Sequence, residues 1–256
     1  MTLVGRSFIA LVLLFLYAPI AVMVLMGFNA SDLYALPFTP SLHWYGELAG
    51  NDKLIAASRN SVLVAFVTAV VATALGTLAA LALSRRTFRG RTLLRLLLLP
   101  PIAIPWLITG TAMLVFFYWT GIGRGLHAMI LGHVALALPY VVLVVGTGLA
   151  SLRADLEETA MSLGSTPIHA FRAVTLPLLA PSLVAAALFA FAVSLDQFVV
   201  SYFLASPGVS TLPVEIYSSI RKGFTPEINA VSTILLGASV ALFLVFAVLT
   251  KVGGEK

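Results

Sequence analysis

Six apolar runs of about 20 residues or more predict an all-α membrane protein with six transmembrane helices. Composition points the same way: 60% of the 256 residues are hydrophobic and 10% are charged, where a soluble domain carries about 45–50% apolar and 25% charged residues. The third observation is the placement of charge. The net charge of +5 is gathered beside the apolar runs, as topology signals are, which argues against a nucleic-acid surface and for contact with anionic membrane lipid. The sequence contains no cysteine, so disulfides, thiolate metal sites and cysteine nucleophiles are excluded.

The first span, residues 8–28, follows Arg6 and carries Pro19, a point of kinking. A cleaved signal has a shorter apolar stretch, about 7–15 residues, and a small-residue cleavage site, so this run is read as a membrane helix. Residues 29–60 are polar and turn-rich, with Pro37, Pro40, Trp44, Tyr45, Asp52 and Lys53, and predict an external loop with a little structure of its own. The second span, 61–83, ends in a dense basic loop of Arg85, Arg86, Arg89 and Arg91, and Arg95 stands just inside the next run, able to snorkel back. The third span, 93–119, holds Pro100, Pro101 and Pro105, which remove backbone donors and should bend or break it. Near its end, Tyr118 and Trp119 read as an outer aromatic belt, although Trp106, Phe116 and Phe117 with them could also offer cation-π faces to an amine. The fourth span, 128–150, contains His133 and Pro139, and the fifth, 182–204, contains Asp196 beside Gln197. A second polar loop, 205–229, leads to the sixth span, 230–250.

Six spans place both termini on one side. With the amino terminus inside, the inner face carries ten basic residues (Arg6, Arg85, Arg86, Arg89, Arg91, Arg95, Arg153, Arg172, Lys251 and Lys256) and the outer face five (Lys53, Arg59, Arg124, Arg221 and Lys222). By the positive-inside rule both termini are cytoplasmic. One membrane domain, residues 1–256, accounts for the chain.

The loop between the fourth and fifth spans, about 151–181, is the most informative stretch. Arg153, Asp155, Glu157, Glu158 and Arg172 cannot sit in hydrocarbon. Leu156, Ala160 and Leu163 fall on one helical face, and Ile168, Phe171 and Val174 repeat every third residue, so two short amphipathic helices are predicted. Gly164 lies between them and permits positive φ, Thr166 can cap the second helix, and Pro167 suits its first position. An amphipathic linker resting on the bilayer is the simpler use of such a loop.

The wording of this stretch resembles the cytoplasmic loop of ABC-importer permeases, whose pattern is E-A-A, three residues, G, nine residues, I-x-L-P. Glu158, Ala160, Gly164, Leu176 and Pro177 match, while Thr159 replaces the middle alanine and Val174 the isoleucine. The resemblance implies a type I ABC importer permease fold with cytoplasmic coupling helices in a bacterial plasma (inner) membrane. It also implies that this loop docks in a groove of an ATPase subunit. The run Ser194, Leu195, Asp196, Gln197, Phe198, the loop Thr211, Leu212, Pro213 with Tyr217, and Thr225, Pro226, Glu227, Ile228, Asn229, Ala230 are similar to the second permease of spermidine/putrescine importers. Permeases for opines, modified amino acids and other small solutes share much of this. The partners implied are a second permease, two ATP-binding subunits and a periplasmic or extracellular substrate-binding protein.

No G-x-x-x-x-G-K-[ST] and no H-E-x-x-H occurs, so this chain is expected to bind no cofactor and to leave ATP to its partners. Asp196 is the candidate for the substrate pathway, with Gln197 and His133. A carboxylate at mid-helix costs about 2.5–3.5 kcal/mol on insertion scales and must meet water, protein or ligand; a hydrogen bond to a neighbouring helix is the alternative. His133 can equally be satisfied by a nearby carbonyl or hydroxyl. Glu215, Arg221, Lys222 and Glu227 read as contacts for the binding protein or as ordinary solvated charges. Two other classes stay open: an intramembrane enzyme, which would need His133 and Asp196 within hydrogen-bond reach, and a membrane scaffold, which would need neither.

Overall fold

The computed structural model describes residues 3–31, 36–85, 87–98, 100–153, 155–223 and 226–254, so Arg86, Thr225 and Lys256, used above, lie outside the described residues. In chain order the helices are α1 (Leu3–Gly27), α2 (His43–Gly50), α3 (Asp52–Arg85), α4 (Arg91–Leu97), α5 (Pro100–Ala103), α6 (Trp106–Trp119), α7 (Leu126–Ser151) and α8 (Asp155–Ser162). Then follow α9 (Pro167–Ala170), a π-helical turn (Phe171–Thr175), α10 (Leu176–Leu195), α11 (Val199–Leu204), α12 (Leu212–Lys222) and α13 (Glu227–Gly254). The described residues hold two isolated β-bridges besides, Asn29 with Pro40 and Ser206 with Val209.

Four helical runs are long and apolar enough to cross a membrane: Gly5–Gly27, Asp52–Arg85, Leu126–Ser151 and Pro167–Leu195. The run from α4 to α6 makes a fifth if its two arms, bent by 113°, count as one span. The expected sixth coincides with α13, whose described apolar stretch, Glu227–Ala241, is shorter than a span, so four to five spans are seen among the described residues.

Four boundaries differ from the sequence reading. The external loop contains α2, and α3 starts at Asp52 rather than near residue 61; at 1.5 Å per residue its 34 residues extend about 50 Å, well beyond a 30 Å core. The third span breaks at Pro105, which starts α6 with φ −54° and ψ 133°, as a proline without an amide donor requires. The fifth span begins earlier and ends sooner than 182–204: helical structure runs unbroken from Pro167 to Leu195, and Asp196 lies in the gap before α11 instead of within a helix. The second polar loop contains α12, whose Leu212, Ile216 and Ile220 recur every fourth residue and whose last turn carries Arg221 and Lys222, a favourable placement against the helix dipole.

The chain forms two compact units, Met1–Ala56 with Glu215–Lys256, and Ala57–Val214. In the first, α1 packs on α13, where a side chain on Gly27 would meet Thr233 Oγ1 at 3.2 Å. Asn29 is buried, accepts the Thr39 amide at 3.1 Å on its Oδ1, and accepts Trp44 Nε1–H at 2.7 Å on its carbonyl, which pins the strand-like return after α1. In the second unit α7 is the central helix. Alanines of α3 (Ala69, Ala72, Ala80) and α10 (Ala186, Ala190) are buried with Val141, Val145 and Leu149 of α7, and a Cβ on Gly76 would lie 2.5 Å from Val141 Cγ1. Small residues let these backbones approach closely, as membrane helix pairs require.

Candidate functional site

The loop after α7 folds as its sequence dictates. Gly164 has φ +95°, the left-handed conformation that glycine adopts without a Cβ penalty. Its amide bonds the Met161 carbonyl at 2.9 Å and the Ser165 amide reaches the Ala160 carbonyl at 3.1 Å, the paired bonds of a Schellman stop. Thr166 then caps α9 by accepting the His169 amide at 3.3 Å, with Pro167 at the first helical position. Arg153 donates to both Asp155 carboxylate oxygens, at 2.6 and 3.2 Å, and this guanidinium holds the Asp155 carboxyl below its usual range.

Leu176 and Pro177 now have a structural reason. The Leu176 amide reaches five residues back to the Phe171 carbonyl, while Pro177 has no amide hydrogen and its ring would clash with a carbonyl four residues earlier in an ordinary α-helix. The π-helical turn widens the backbone there, so the helix passes through the proline into α10. Such turns are rare and concentrate at functional sites. Glu158 is exposed, and the apolar Leu163 and Ile168 are 85% and 69% exposed. Ala160 and Val174 are half-buried.

One residue from outside is brought into this loop. Arg85, at the end of α3, meets Glu157 Oε2 with its Nη1 at 2.5 Å and donates from Nη2 to Thr175 Oγ1 at 3.3 Å. Thr175 in turn donates to Glu157 Oε2 at 2.9 Å. Arg85 carried only a topology role in the sequence, and nothing in the pattern around Glu157 points across 72 residues to it.

The second group of candidates lies at the gap after α10. His133 is buried, with Nδ1 2.7 Å from Ser194 Oγ and Nε2 3.0 Å from Ser201 Oγ. The two serines flank the gap on α10 and α11, so the imidazole brackets it. Gln197 is also buried, its Oε1 3.5 Å from the Val200 amide that opens α11, and its Nε2 has no partner among the described residues. Asp196 is exposed, and among the described residues its carboxylate has neither hydrogen bond nor ion pair. Both His133 nitrogens are taken by hydroxyls, so the acid–base pair with Asp196 that an intramembrane enzyme needs is not formed.

Residues 72–253 match the family model of the binding-protein-dependent transport system inner membrane component. The chain belongs to that family. It is therefore a multi-pass permease subunit of an ABC importer, and curated relatives match almost its whole length. The permease is 38% identical over 232 residues to the putrescine transport system permease protein PotI of Escherichia coli K12, covering 88% of this chain and 82% of PotI. It is 35% identical over 247 residues to the spermidine/putrescine transport system permease protein PotC of Haemophilus influenzae, covering 96% of each chain. With the putative 2-aminoethylphosphonate transport system permease protein PhnV of Salmonella paratyphi A it shares 30% over 251 residues, 96% of this chain and 93% of PhnV.

Solved structures carry the same fold. A bacterial ABC transporter involved in alginate import superposes with a TM-score of 0.72 at 17% identity, over 97% of the permease and 93% of that chain. A subunit of the MetNI methionine transporter does so with 0.64 at 20% identity, over 78% and 95%. On the external side of the expected topology, the permease holds Glu227 by Asn51 Nδ2 at 3.3 Å and sets Arg221 over the Tyr217 ring at 6.0 Å. Tyr118 and Trp119 are 79% and 81% exposed at the end of α6.

Proposed function

We propose that the permease forms half of the translocation pathway of a polyamine importer and takes its driving motion through the 155–177 loop. Two ATP-binding subunits, a second permease and an external substrate-binding protein complete the complex, and ATP is hydrolysed on the ATPase subunits. The chain crosses the plasma membrane six times as one domain with both termini in the cytoplasm, α13 being the sixth span. Glu158, Ala160, Gly164, Val174, Leu176 and Pro177 are the coupling residues.

One observation carries the docking reading: a loop with a rigidly stopped helix, a capped second helix and a π-helical turn leaves Leu163 and Ile168 exposed beside Glu158. Apolar side chains this open on a polar loop mark a protein surface waiting for a partner. A polyamine substrate is supported by the identities with PotI and PotC and by the exposed Asp196 carboxylate, unpartnered among the described residues, which attracts an ammonium group. Gln197 lines the same gap, and His133 shapes it from behind. The similarity to PhnV keeps a small zwitterionic solute as the second reading.

The test is transport by the complex reconstituted in proteoliposomes with its binding protein. Radiolabelled putrescine and spermidine should accumulate in an ATP-dependent manner. A binding protein that takes only 2-aminoethylphosphonate or another zwitterion would overturn the polyamine assignment and leave the permease assignment standing.

A further inference from the structure

Three features outside the pathway candidates invite a role: the cavity of about 670 Å³ beside Arg95, Thr92 and Thr147, the acidic pocket of Glu47, Asp52 and Glu227, and the Arg85 cluster. The first is an apolar cleft with nothing that fixes its occupant, and the second is a set of carboxylates that Lys53 already lines. The third is a closed network with a mechanical consequence.

We propose that Arg85 is a positioning residue that ties α3 to the coupling loop, so that displacement of the loop is delivered to α3 as well as to α7 and α10. The proposal rests on the coupling reading above. The loop is covalently continuous with α7 on one side and α10 on the other, but α3 can follow it only through non-covalent contacts. Most of those are smooth: buried Ala69, Ala72 and Ala80, with Gly76 against Val141, give close packing without a directional lock, and small-residue faces can slide. The Arg85 cluster is different. Its guanidinium reaches Glu157 on α8 at 2.5 Å and Thr175 in the π-helical turn at 3.3 Å, and it lies 5.9 Å from the centroid of the Phe171 ring in the same turn. Thr175 is 3% exposed and closes the triangle by donating to Glu157 at 2.9 Å. One side chain of α3 is thus bound to both halves of the loop, on either side of Gly164, by charge-assisted hydrogen bonds that fix direction as well as distance.

The experiment uses the assembled complex in proteoliposomes and measures putrescine accumulated per ATP hydrolysed. Arg85→Gln and Glu157→Gln should each lower that ratio about tenfold, equivalent to about 1.4 kcal/mol of coupling, with ATP hydrolysis in the absence of binding protein unchanged. Thr175→Val should lower it less, and Arg85→Lys, which keeps the charge but not the fork, should fall between wild type and Arg85→Gln. The double variant Arg85→Glu with Glu157→Arg should recover most of the ratio, which a side chain needed only for folding would not produce. Wild-type ratios in both Gln variants overturn the proposal, as does a swap no better than either single variant, or a loss of assembled complex that the swap does not restore. Glu158→Lys and Gly164→Leu, measured beside them, separate the two readings. If these two uncouple while Arg85→Gln does not, only the tie falls, and if none of the four variants uncouples, the docking reading falls with it.

Discussion

Replacing Gly164 separates a conformational requirement from a steric one. Its two chain neighbours aside, no atom of the described residues lies within 4 Å of where its Cβ would be, and its φ is +95°. Any cost of substitution therefore comes from the backbone, which for an L-residue in the left-handed region is about 1–2 kcal/mol. That lowers the population of the stopped helix roughly five- to thirtyfold relative to the unwound loop. The effect should fall on coupling rather than insertion, because Gly164 lies outside the apolar spans. Three variants order themselves by the argument. Gly164→Asn should transport better than Gly164→Ala although asparagine is larger, since asparagine tolerates this region, and Gly164→Leu should be worst. The assay is ATP-dependent putrescine uptake together with substrate-stimulated ATP hydrolysis, after checking that equal amounts reach the membrane. If Ala outperforms Asn, clearance at the docking surface matters and backbone conformation does not. Equal, wild-type coupling in all three would refute a role for the Schellman stop altogether.

Other outcomes follow from the same geometry. Single cysteines at Thr87 and Ser165 should be shielded from a membrane-impermeant thiol reagent in intact cells while those at Ser41 and Ser210 react, since the chain has no native cysteine; labelling at Thr87 from outside would overturn the orientation. His133→Leu should leave the Ser194 and Ser201 hydroxyls without their buried partner, at a cost of about 1–3 kcal/mol, seen as a lower melting temperature of the purified complex. Adding Ser194→Ala and Ser201→Ala should return most of it, because removing both sides of a buried hydrogen bond is nearly neutral. Asp196→Asn should slow putrescine transport without touching putrescine binding to the separate binding protein, and wild-type transport would remove Asp196 from the pathway.

The local structure of the proposed coupling loop was legible almost residue by residue because its devices are local. A positive-φ glycine, a threonine cap and a proline at the first helical position each act within five residues of chain, and the structure has all three. The π-helical turn was not legible, although its cause was: Pro177 forbids the ordinary α-helical bond, but whether a helix stops or widens there depends on what it packs against. The same limit explains the fifth span. Its apolar run continues past residue 196, so hydropathy alone carried the helix through to Leu204, whereas the break is fixed by His133 from another helix through Ser194 and Ser201. α12 was hidden differently, since its four-residue spacing of Leu212, Ile216 and Ile220 is short and lies inside a stretch read as a polar loop. The Arg85–Glu157 pair could not have been found from one sequence, because its partners are linked by fold and not by spacing.

The proposed coupling loop and the proposed pathway residue are joined by one element. α10 is 20 residues long, about 30 Å, and both of its ends depart from α-helical bonding, at the π-helical turn before Leu176 and at the gap that begins with Asp196. Between them it is held firmly: Leu179, Ala186 and Ala190 are fully buried, and Gly148 of α7 sits so close to Ser182 that a Cβ there would overlap it. A packed helix resists bending along its length, while non-α backbone at its ends absorbs changes in φ and ψ. Under the proposed coupling, motion imposed at the loop would be passed on as a shift of the whole helix toward Asp196, and the His133 bracket to Ser194 and Ser201 would carry part of it to α11. In the proposed arrangement the driving event would need no chemistry inside the membrane, as a chain without a nucleotide motif requires.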